Sequence, residues 1–241
     1  MNMVVIGAER GLGLEIVKEL ANRGHSVVAG LPRAFVPDEL TALETAHPDE
    51  IFHVQCDVTD EMQVQQAAAF CHEKLGELDA LINCAGIIVD SDRKNLLHEV
   101  EIPALRTSFE INTIGAVAVI KYFYPIMRKD ADAAFVTIAS EGCDIGSPGT
   151  WIPAYALSKC AVTKVAGIMN ESVKDVRFYS VHPGRMRTVM GRDTWNMEAD
   201  ESARSLISMI ESGEIHNKGT WYMDYKGMNM MPDAASAQEE E

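Results

Sequence analysis

The stretch that most limits the possible fold lies at the start of the chain, where an apolar run meets closely spaced glycines. Residues 3–6 read Met-Val-Val-Ile, a run of the length and composition of a buried strand. Gly7, Gly11 and Gly13 follow, and apolar residues then recur at helical spacing over 14–20. A strand, a glycine turn and a helix in this order point backbone N–H groups and the positive end of a helix at an anion. The stretch predicts a phosphate-binding turn, although a purely structural glycine turn is about as common.

Strand and helix patterns alternate along the remaining chain. The predicted strands after the first lie at 25–30, 51–55, 79–83, 134–139, 177–182 and 220–223. The predicted helices after the first lie at 37–46, 60–75, 102–128, 155–171 and 201–211. Alternation of this kind favours a doubly wound, Rossmann-like α/β fold, in which about seven parallel strands have helices on both faces. We expect one domain over 1–231 and a disordered acidic tail over 232–241.

Composition excludes several classes of partner. The 241 residues carry a net charge of -15, which argues against nucleic acids and anionic membranes because both require a basic surface. No apolar run reaches the length of a membrane span, and the N-terminus lacks the pattern of an export signal. The five cysteines include no C-x-x-C pair, and the histidines have no metal-ligand spacing. We therefore expect a cytoplasmic protein without a metal site.

Polar residues and glycines collect at the ends of the predicted strands. In parallel sheets, ligands bind outside the carboxyl ends of the strands, and Gly7, Asp57, Asn83 and Gly86 all fall at such ends. Asp57 could accept a hydrogen bond from an adenine amino group, or it could cap the helix that starts near residue 60. These positions predict a nucleotide site along one edge of the sheet.

The end of the second strand bears on the choice of cofactor. An acidic residue there would hold the ribose hydroxyls of NAD. This chain has Gly-Leu-Pro-Arg over 30–33 instead, and Arg10 and Arg33 could accommodate a 2′-phosphate. The sequence therefore favours NADP(H) slightly over NAD(H).

A tyrosine and a lysine on one helix form the candidate reactive pair. Tyr155 and Lys159 are four residues apart and share a helix face, and Ser140 ends the preceding strand. Moving a tyrosine pKa from about 10 towards 7 requires about 4 kcal/mol. A lysine cation at about 4 Å provides about 1 kcal/mol in water and about 4 kcal/mol in a partly desolvated cleft. The pair could therefore transfer protons, although pairs of this spacing also arise by chance. Asn112, in an apolar part of the long helix, is either a structural bridge or part of a site.

Seven motifs occur together in one order along the chain. They are Gly7-x-x-x-Gly11-x-Gly13, Asp57-Val58, Asn83-Cys84-Ala85-Gly86, Asn112, Ser140, Tyr155-x-x-x-Lys159 and Pro183-Gly184-x-x-x-Thr188. In this order they resemble the short-chain dehydrogenase/reductase family, in its single-domain branch, over nearly the whole chain. Residues 219–227 are also similar to the C-factor/sniffer-like carbonyl reductases of that family.

The resemblance implies a reaction and a role for each reactive residue. It implies hydride transfer between a nicotinamide cofactor and the carbonyl or secondary alcohol of a small, largely apolar molecule. Tyr155 would be the general acid or base, and Lys159 would lower its pKa and contact the nicotinamide ribose. Ser140 would orient the substrate oxygen, and Asn112 would help to hold a water that links Lys159 to solvent. The alternative from another class is a non-catalytic nucleotide-sensing or signalling protein on the same fold.

The resemblance also implies the residues that line the cleft. Those expected at the cofactor are Gly7, Glu9, Arg10, Gly11, Leu12, Gly13, Arg33, Asp57, Val58, Asn83, Ala85, Gly86, Tyr155, Lys159, Pro183, Gly184, Met186 and Thr188, with Thr188 at the carboxamide. Those expected at the substrate are Trp151, Met190 and Trp195. The family implies a homodimer or homotetramer that uses the helix 102–128 and the helix after Tyr155, although one chain could also cover these helices.

The sequence departs from the family pattern at three places. Ile6 stands where the family usually has Thr or Ser, and Cys84 replaces the second Asn of Asn-Asn-Ala-Gly. The loop between Ser140 and Tyr155 is longer than usual, so Ser147 is a less favoured alternative to Ser140.

Overall fold

One parallel sheet organises the chain. The computed structural model describes residues 1–94, 96–130, 132–144, 150–191, 197–213 and 219–222. The strands are β1 (Asn2–Ile6), β2 (Ser26–Leu31), β3 (Ile51–Gln55), β4 (Ala80–Asn83), β5 (Ala134–Ile138), β6 (Arg177–His182) and β7 (Gly219–Tyr222). They pair in the order β3-β2-β1-β4-β5-β6-β7, and every pairing is parallel. The order reverses between β1 and β4, which makes this a doubly wound sheet of seven strands, as predicted.

Helices cover both faces of the sheet. They are α1 (Gly11–Asn22), α2 (Asp38–Ala46), α3 (Glu61–Leu75), α4 (Ile102–Phe109), α5 (Gly115–Phe123), α6 (Pro153–Ser172) and α7 (Ala199–Ser212). Met3 and Val5 of β1 pack in a core with α1, α2 and α7. Val4 and Ile6 pack in a second core with α3, α5 and α6. Successive side chains of β1 thus enter opposite layers, which is why its sequence is an unbroken apolar run.

The predicted helix over 102–128 is confirmed as one helical run over 102–126, although it is not α-helical throughout. A π-helical turn over Glu110–Ile114 separates α4 from α5, and a 3-10 turn over Tyr124–Ile126 follows α5. Asn112 lies in the π-helical turn, buried, with hydrogen bonds to the chain after β4 and to α6. Insertions of this type are frequent at functional sites, and apolar periodicity does not reveal them.

The loop after β3 excludes one of the two predicted roles of Asp57. The carboxylate of Asp60 caps α3 by accepting from the N–H groups of Met62 (3.0 Å) and Gln63 (3.2 Å). Asp57 instead accepts from the backbone N–H and the hydroxyl of Thr59, at 3.0 and 2.8 Å. The alternative in which Asp57 caps this helix is therefore wrong.

Several sequence predictions concern features other than the sheet. Within the described ranges, no helix is long and apolar enough to cross a membrane. The same residues contain no cluster of His, Cys, Asp or Glu side chains that could hold a metal ion. All five cysteines are free thiols. Ser147, Trp195 and the tail 232–241 lie outside the described residues.

Candidate active site

The glycine turn between β1 and α1 fits closely under the chain that follows β4. Gly7 and Gly11 have φ values of +80° and +56°, in the left-handed region that favours glycine. A Cβ atom on Gly7 would lie 2.7 Å from the backbone N of Ala85, and one on Gly13 would collide with the carbonyl oxygen of Gly7. Among the residues that the structure describes, no side chain caps the N-terminus of α1. At Gly7 and Gly13 the turn therefore admits only glycine, because any side chain would collide with the backbone. This glycine cradle lies at the N-terminus of α1, where the first N–H groups of the helix can bind an anion.

Glu9 and Arg10 lie inside this turn. One carboxylate oxygen of Glu9 is buried and has no hydrogen-bond partner among the described residues. Arg10 is exposed, with its Nε 3.7 Å from the other oxygen of Glu9. Leu12, by contrast, is buried in the core below the turn. An orphaned carboxylate oxygen beside a glycine cradle fits a ligand that brings hydroxyl or amide donors together with phosphate, as a dinucleotide does.

The chain after β4 connects the turn to the candidate reactive residues. The side-chain oxygen of Asn83 accepts from the backbone N of Ala85 at 3.1 Å, which braces the bend after the strand. A Cβ on Gly86 would lie 3.2 Å from Nζ of Lys159 and 3.3 Å from Oδ1 of Asn112. The structure thus brings the predicted residues at the ends of β1 and β4 into one cleft.

The loop after β6 closes over the same turn. A Cβ on Gly11 would lie 3.6 Å from the methyl group of Thr188, so Thr188 stands directly beside the phosphate-type turn. This loop starts at Gly184, which has a φ of +87°. The preceding residue, Pro183, accepts a hydrogen bond at its carbonyl oxygen from the hydroxyl of Ser202 at 2.8 Å. Met186 forms a backbone bridge with Met197.

The residues predicted at the adenosine end lie farther along the sheet edge. Arg33 is exposed just beyond β2, as Arg10 is in the turn. Asp57 is half-buried after β3, and Val58 packs against Gly115, where a Cβ would lie 2.6 Å from a Val58 methyl group. The role of these two exposed guanidinium groups at a 2′-phosphate stays a prediction.

Ser140 contacts the tyrosine of the candidate pair. It follows β5, caps a 3-10 turn over Glu141–Cys143 by accepting from Gly142 N at 3.2 Å, and is itself buried. Tyr155 lies on the first turn of α6, 7% exposed. Burial raises the pKa of Tyr155 to about 12, and a hydrogen bond from the Ser140 side chain acts in the opposite direction.

Lys159 is held by the backbone end of β5. Its Nζ donates to the carbonyl oxygen of Ile138 at 2.6 Å and lies 5.6 Å from the ring centroid of Tyr155. Burial lowers the pKa of Lys159 to about 8. The predicted decrease in the pKa of Tyr155 is wrong for this structure, because desolvation of the phenol outweighs the effect of the neighbouring groups.

Asn112 is a structural bridge, one of its two predicted roles. Its side-chain oxygen accepts from Ile87 N at 2.7 Å, and its amide donates to Ile87 O at 3.0 Å and to the hydroxyl of Ser158 at 2.9 Å. The Ser158 hydroxyl in turn donates to the carbonyl of Tyr155 at 2.7 Å. The network joins the chain after β4 to the helix that carries Tyr155. The predicted water near Asn112 stays a prediction.

Two residues of the site were missed by the sequence reasoning. The carboxylate of Asp92 accepts from the backbone N–H groups of Ala154 and Tyr155, both at 2.9 Å. Arg93 donates to the carbonyl of Met190 at 2.8 Å, and its charge weakly opposes the rise in the pKa of Tyr155 that burial causes. Asp-Ser-Asp-Arg over 90–93 reads as a solvated turn. The available signal was that Ile152-Pro153 supplies no capping side chain for α6.

Two of the predicted substrate residues, Trp151 and Met190, stand at the mouth of the cleft. The Trp151 side chain is exposed, and the guanidinium of Arg185 lies 6.0 Å from its ring centroid. Arg185 also forms a two-bond ion pair with Glu141, at 2.8 and 3.0 Å. The carbonyl oxygen of Met190 accepts the hydrogen bond from the guanidinium group of Arg93. The structure places Trp151 and Met190 in loops that flank the first turn of α6.

The fold and the site together define a class of protein. A doubly wound sheet with a glycine turn after β1 and polar groups at its strand ends is typical of nucleotide-binding α/β proteins. The sequence pattern of the short chain dehydrogenase family matches residues 1–199. The chain belongs to this family, and the resemblance found in its motifs is confirmed.

Individual relatives agree with this assignment. Oxidoreductase BOA17 of Botryotinia fuckeliana (strain B05.10) is 33% identical over 187 residues, which are 76% of this chain and 65%, just under two thirds, of that protein. Carbonyl reductase Sniffer of D. melanogaster superposes with a TM-score of 0.85 at 23% identity, covering 95% of this chain and 98% of its own. A short-chain dehydrogenase/reductase from Burkholderia multivorans, solved with bound NADP, gives 0.80 at 23% identity over 94% and 97%. At these identities the two structures show a shared fold.

Proposed function

We propose that this protein is an NAD(P)-dependent oxidoreductase that interconverts a carbonyl and a secondary alcohol on a small, largely apolar substrate. One observation carries the proposal. Ser140, Tyr155 and Lys159 are all buried at the sheet edge that also holds the glycine turn. A buried phenol beside a hydroxyl and an ammonium group is the chemistry that proton transfer to a carbonyl oxygen requires.

Each of the three side chains has a distinct part in carbonyl reduction. When bound, the nicotinamide cofactor supplies the hydride that the carbonyl carbon receives. Tyr155 gives its phenolic proton to the carbonyl oxygen, and its raised pKa keeps it protonated at neutral pH. Ser140 hydrogen-bonds the same oxygen and orients it, and Lys159 stabilises the phenolate that forms. General acid help of this kind is worth about 10²–10⁴-fold in rate.

The chain's own residues also support a choice of cofactor. The glycine cradle at Gly7 and Gly13 would hold the phosphates, and the orphaned oxygen of Glu9 would accept from a donor of the ligand. Arg10 and Arg33 are exposed, and no acidic side chain directly follows β2, where the adenosine end is expected. These features support NADP(H) over NAD(H).

Assembly and location belong to the same proposal. Exposed apolar side chains on α5, α6 and the π-helical turn before α5 support a homodimer or homotetramer, since the described residues of one chain leave them uncovered. The cytoplasmic location stays a prediction, which rests on the cysteine pattern. The single domain over 1–231 also stays a prediction, which rests on the alternation of strands and helices.

The proposal is tested by a panel of carbonyls and secondary alcohols, each assayed with both cofactors by the absorbance of the reduced nicotinamide. We expect turnover of at least one apolar carbonyl, with a higher kcat/KM for NADPH than for NADH. Nucleotide binding without turnover of any substrate would favour the sensing alternative. A strong preference for NADH would contradict the argument from Arg10 and Arg33.

A further inference from the structure

The helix that carries Tyr155 starts without a cap of its own. Ile152 precedes it with φ of +47°, and within the described ranges it is the one non-glycine residue with a positive φ. A β-branched residue in that region is strained. Pro153 has no N–H, and the N–H of Ala156 bonds to the carbonyl of Ile152 at 2.9 Å. The N–H groups of Ala154 and Tyr155 are therefore the two donors of the first turn that need an outside acceptor.

A single buried carboxylate satisfies both donors. Asp92 is 0% exposed, and each of its two oxygens accepts one bond, from Ala154 N and from Tyr155 N, at 2.9 Å. It comes from a 3-10 turn over Asp90–Lys94, about sixty residues earlier in the chain. A negative charge here also complements the positive end of the helix. The carboxylate of Asp92 is thus hydrogen-bonded directly to the backbone of Tyr155.

The neighbouring residue extends this contact to the loop after β6. The guanidinium of Arg93 donates to the carbonyl of Met190 at 2.8 Å. Two consecutive residues therefore hold the two segments that flank the mouth of the cleft, the first turn of α6 and the chain near Met190. A shift of Asp92 would move the tyrosine relative to Ser140, which belongs to a different element.

We propose that Asp92 is the positioning residue of Tyr155: its carboxylate sets the first turn of α6 so that the phenol meets Ser140. The inference rests on the proposed function for its catalytic meaning. Asp92 touches neither substrate nor cofactor in this account and acts through the backbone. A misplacement of about 1 Å in a catalytic group can cost about 10²-fold in rate, so a cap at this position governs kcat.

The test compares Asp92→Asn with Asp60→Asn. Asparagine keeps the size of the side chain but loses the charge and one of the two acceptors. Asp60 is a matched control because it also caps a helix through two backbone N–H groups, away from Tyr155. We expect Asp92→Asn to lower kcat about 10–100-fold, with the Kd for NADPH within about twofold of wild type. Asp60→Asn, at saturating NADPH, keeps the wild-type kcat.

A crystal structure of each variant supplies a readout besides activity. In Asp92→Asn we expect the Tyr155 hydroxyl to leave hydrogen-bonding distance of Ser140, and in Asp60→Asn we expect it to stay. If Asp92→Asn does not fold, the comparison is repeated in an Ile152→Gly background, because glycine removes the strain at that φ.

Three results would overturn the inference: a wild-type kcat in Asp92→Asn, an equal loss in Asp60→Asn, or an undisturbed contact between Tyr155 and Ser140. A wild-type protein that turns over no carbonyl would instead refute the proposed function. The crystallographic comparison would then still decide whether Asp92 positions Tyr155.

Discussion

At the scale of single residues, burial decides the properties of the reactive pair. The sequence places Tyr155 and Lys159 on one helix face, and the structure agrees. The pKa of each side chain is set first by desolvation, and the ammonium group of Lys159 is oriented by its hydrogen bond to the carbonyl of Ile138 in β5. Spacing along a helix carries no information on either factor. This is why the pair was predictable and the direction of the tyrosine pKa was not.

The lowered pKa of Lys159 predicts a pH limb in the activity. Below about 8 the lysine is charged, and above it the charge is lost. We therefore expect kcat/KM for carbonyl reduction, which reports groups of the free enzyme, to fall as pH rises through about 8. Tyr155, with a pKa of about 12, stays protonated over this range.

The identity of the titrating group is checked with Lys159→Arg. Arginine keeps its charge across the range, so any residual activity of this variant should lack the limb. A wild-type profile that stays flat to about pH 10, or a limb that persists in Lys159→Arg, would contradict the assignment.

At the scale of elements, the strands were predicted closely and the helix boundaries less well. β3 and β6 span the predicted residues, because their apolar runs end at turn signals. The π-helical turn around Asn112 and the capping of α6 by Asp92 were missed, whereas Tyr155 does lie on the first turn of α6, as predicted. Both depend on side chains from elsewhere in the chain, Ser158 in one case and Asp92 in the other. Local patterns do not record such long-range partners.

Replacing glycine by alanine should change the free energy of unfolding in opposite directions at two helical positions, Gly13 and Gly167. A Cβ on Gly13 meets the carbonyl of Gly7, whereas a Cβ on Gly167, in α6, meets no atom of the described part of the chain within 4 Å. Gly13→Ala should weaken NADPH binding more than 10-fold and cost about 1–3 kcal/mol of the free energy of unfolding. Gly167→Ala should raise that free energy by about 0.5–1 kcal/mol, because glycine disfavours a helix interior.

Urea denaturation and NADPH titration of both variants check this prediction. Wild-type NADPH affinity in Gly13→Ala would show that the cradle does not serve the cofactor. A loss of stability in Gly167→Ala would show that the space beside this part of α6 is filled.

At the scale of the whole molecule, the sheet order follows from the alternation of strands and helices, whereas assembly does not. The sequence left open whether one chain covers its own long helices. Ile114, Val117, Leu157 and Ile168, on the π-helical turn, α5 and α6, remain 43–54% exposed, and we call them the α5–α6 apolar face. An exposed apolar face and a buried core face both have apolar residues at helical spacing, so the sequence does not distinguish them. The exposure of the side chains in the structure does.

Charges on the α5–α6 apolar face should disrupt the proposed oligomer. The double variant Val117→Lys/Ile168→Lys should sediment as a monomer at concentrations where the wild type is a dimer or tetramer, because unpaired charges oppose burial. Met62→Lys, at an exposed apolar position on α3, is the control and should leave assembly unchanged. A monomeric wild type, or a double variant that still assembles, would refute this interface.

The central claim is that Tyr155 donates the proton, and the most direct measurement is the steady-state kcat of Tyr155→Phe on a carbonyl that the wild type reduces. Tyr122→Phe is the matched control, since its hydroxyl bonds to Glu61 at the surface. We predict that Tyr155→Phe loses at least about 100-fold in kcat while its Kd for NADPH is unchanged, and that Tyr122→Phe equals the wild type. Full turnover by Tyr155→Phe would contradict the claim.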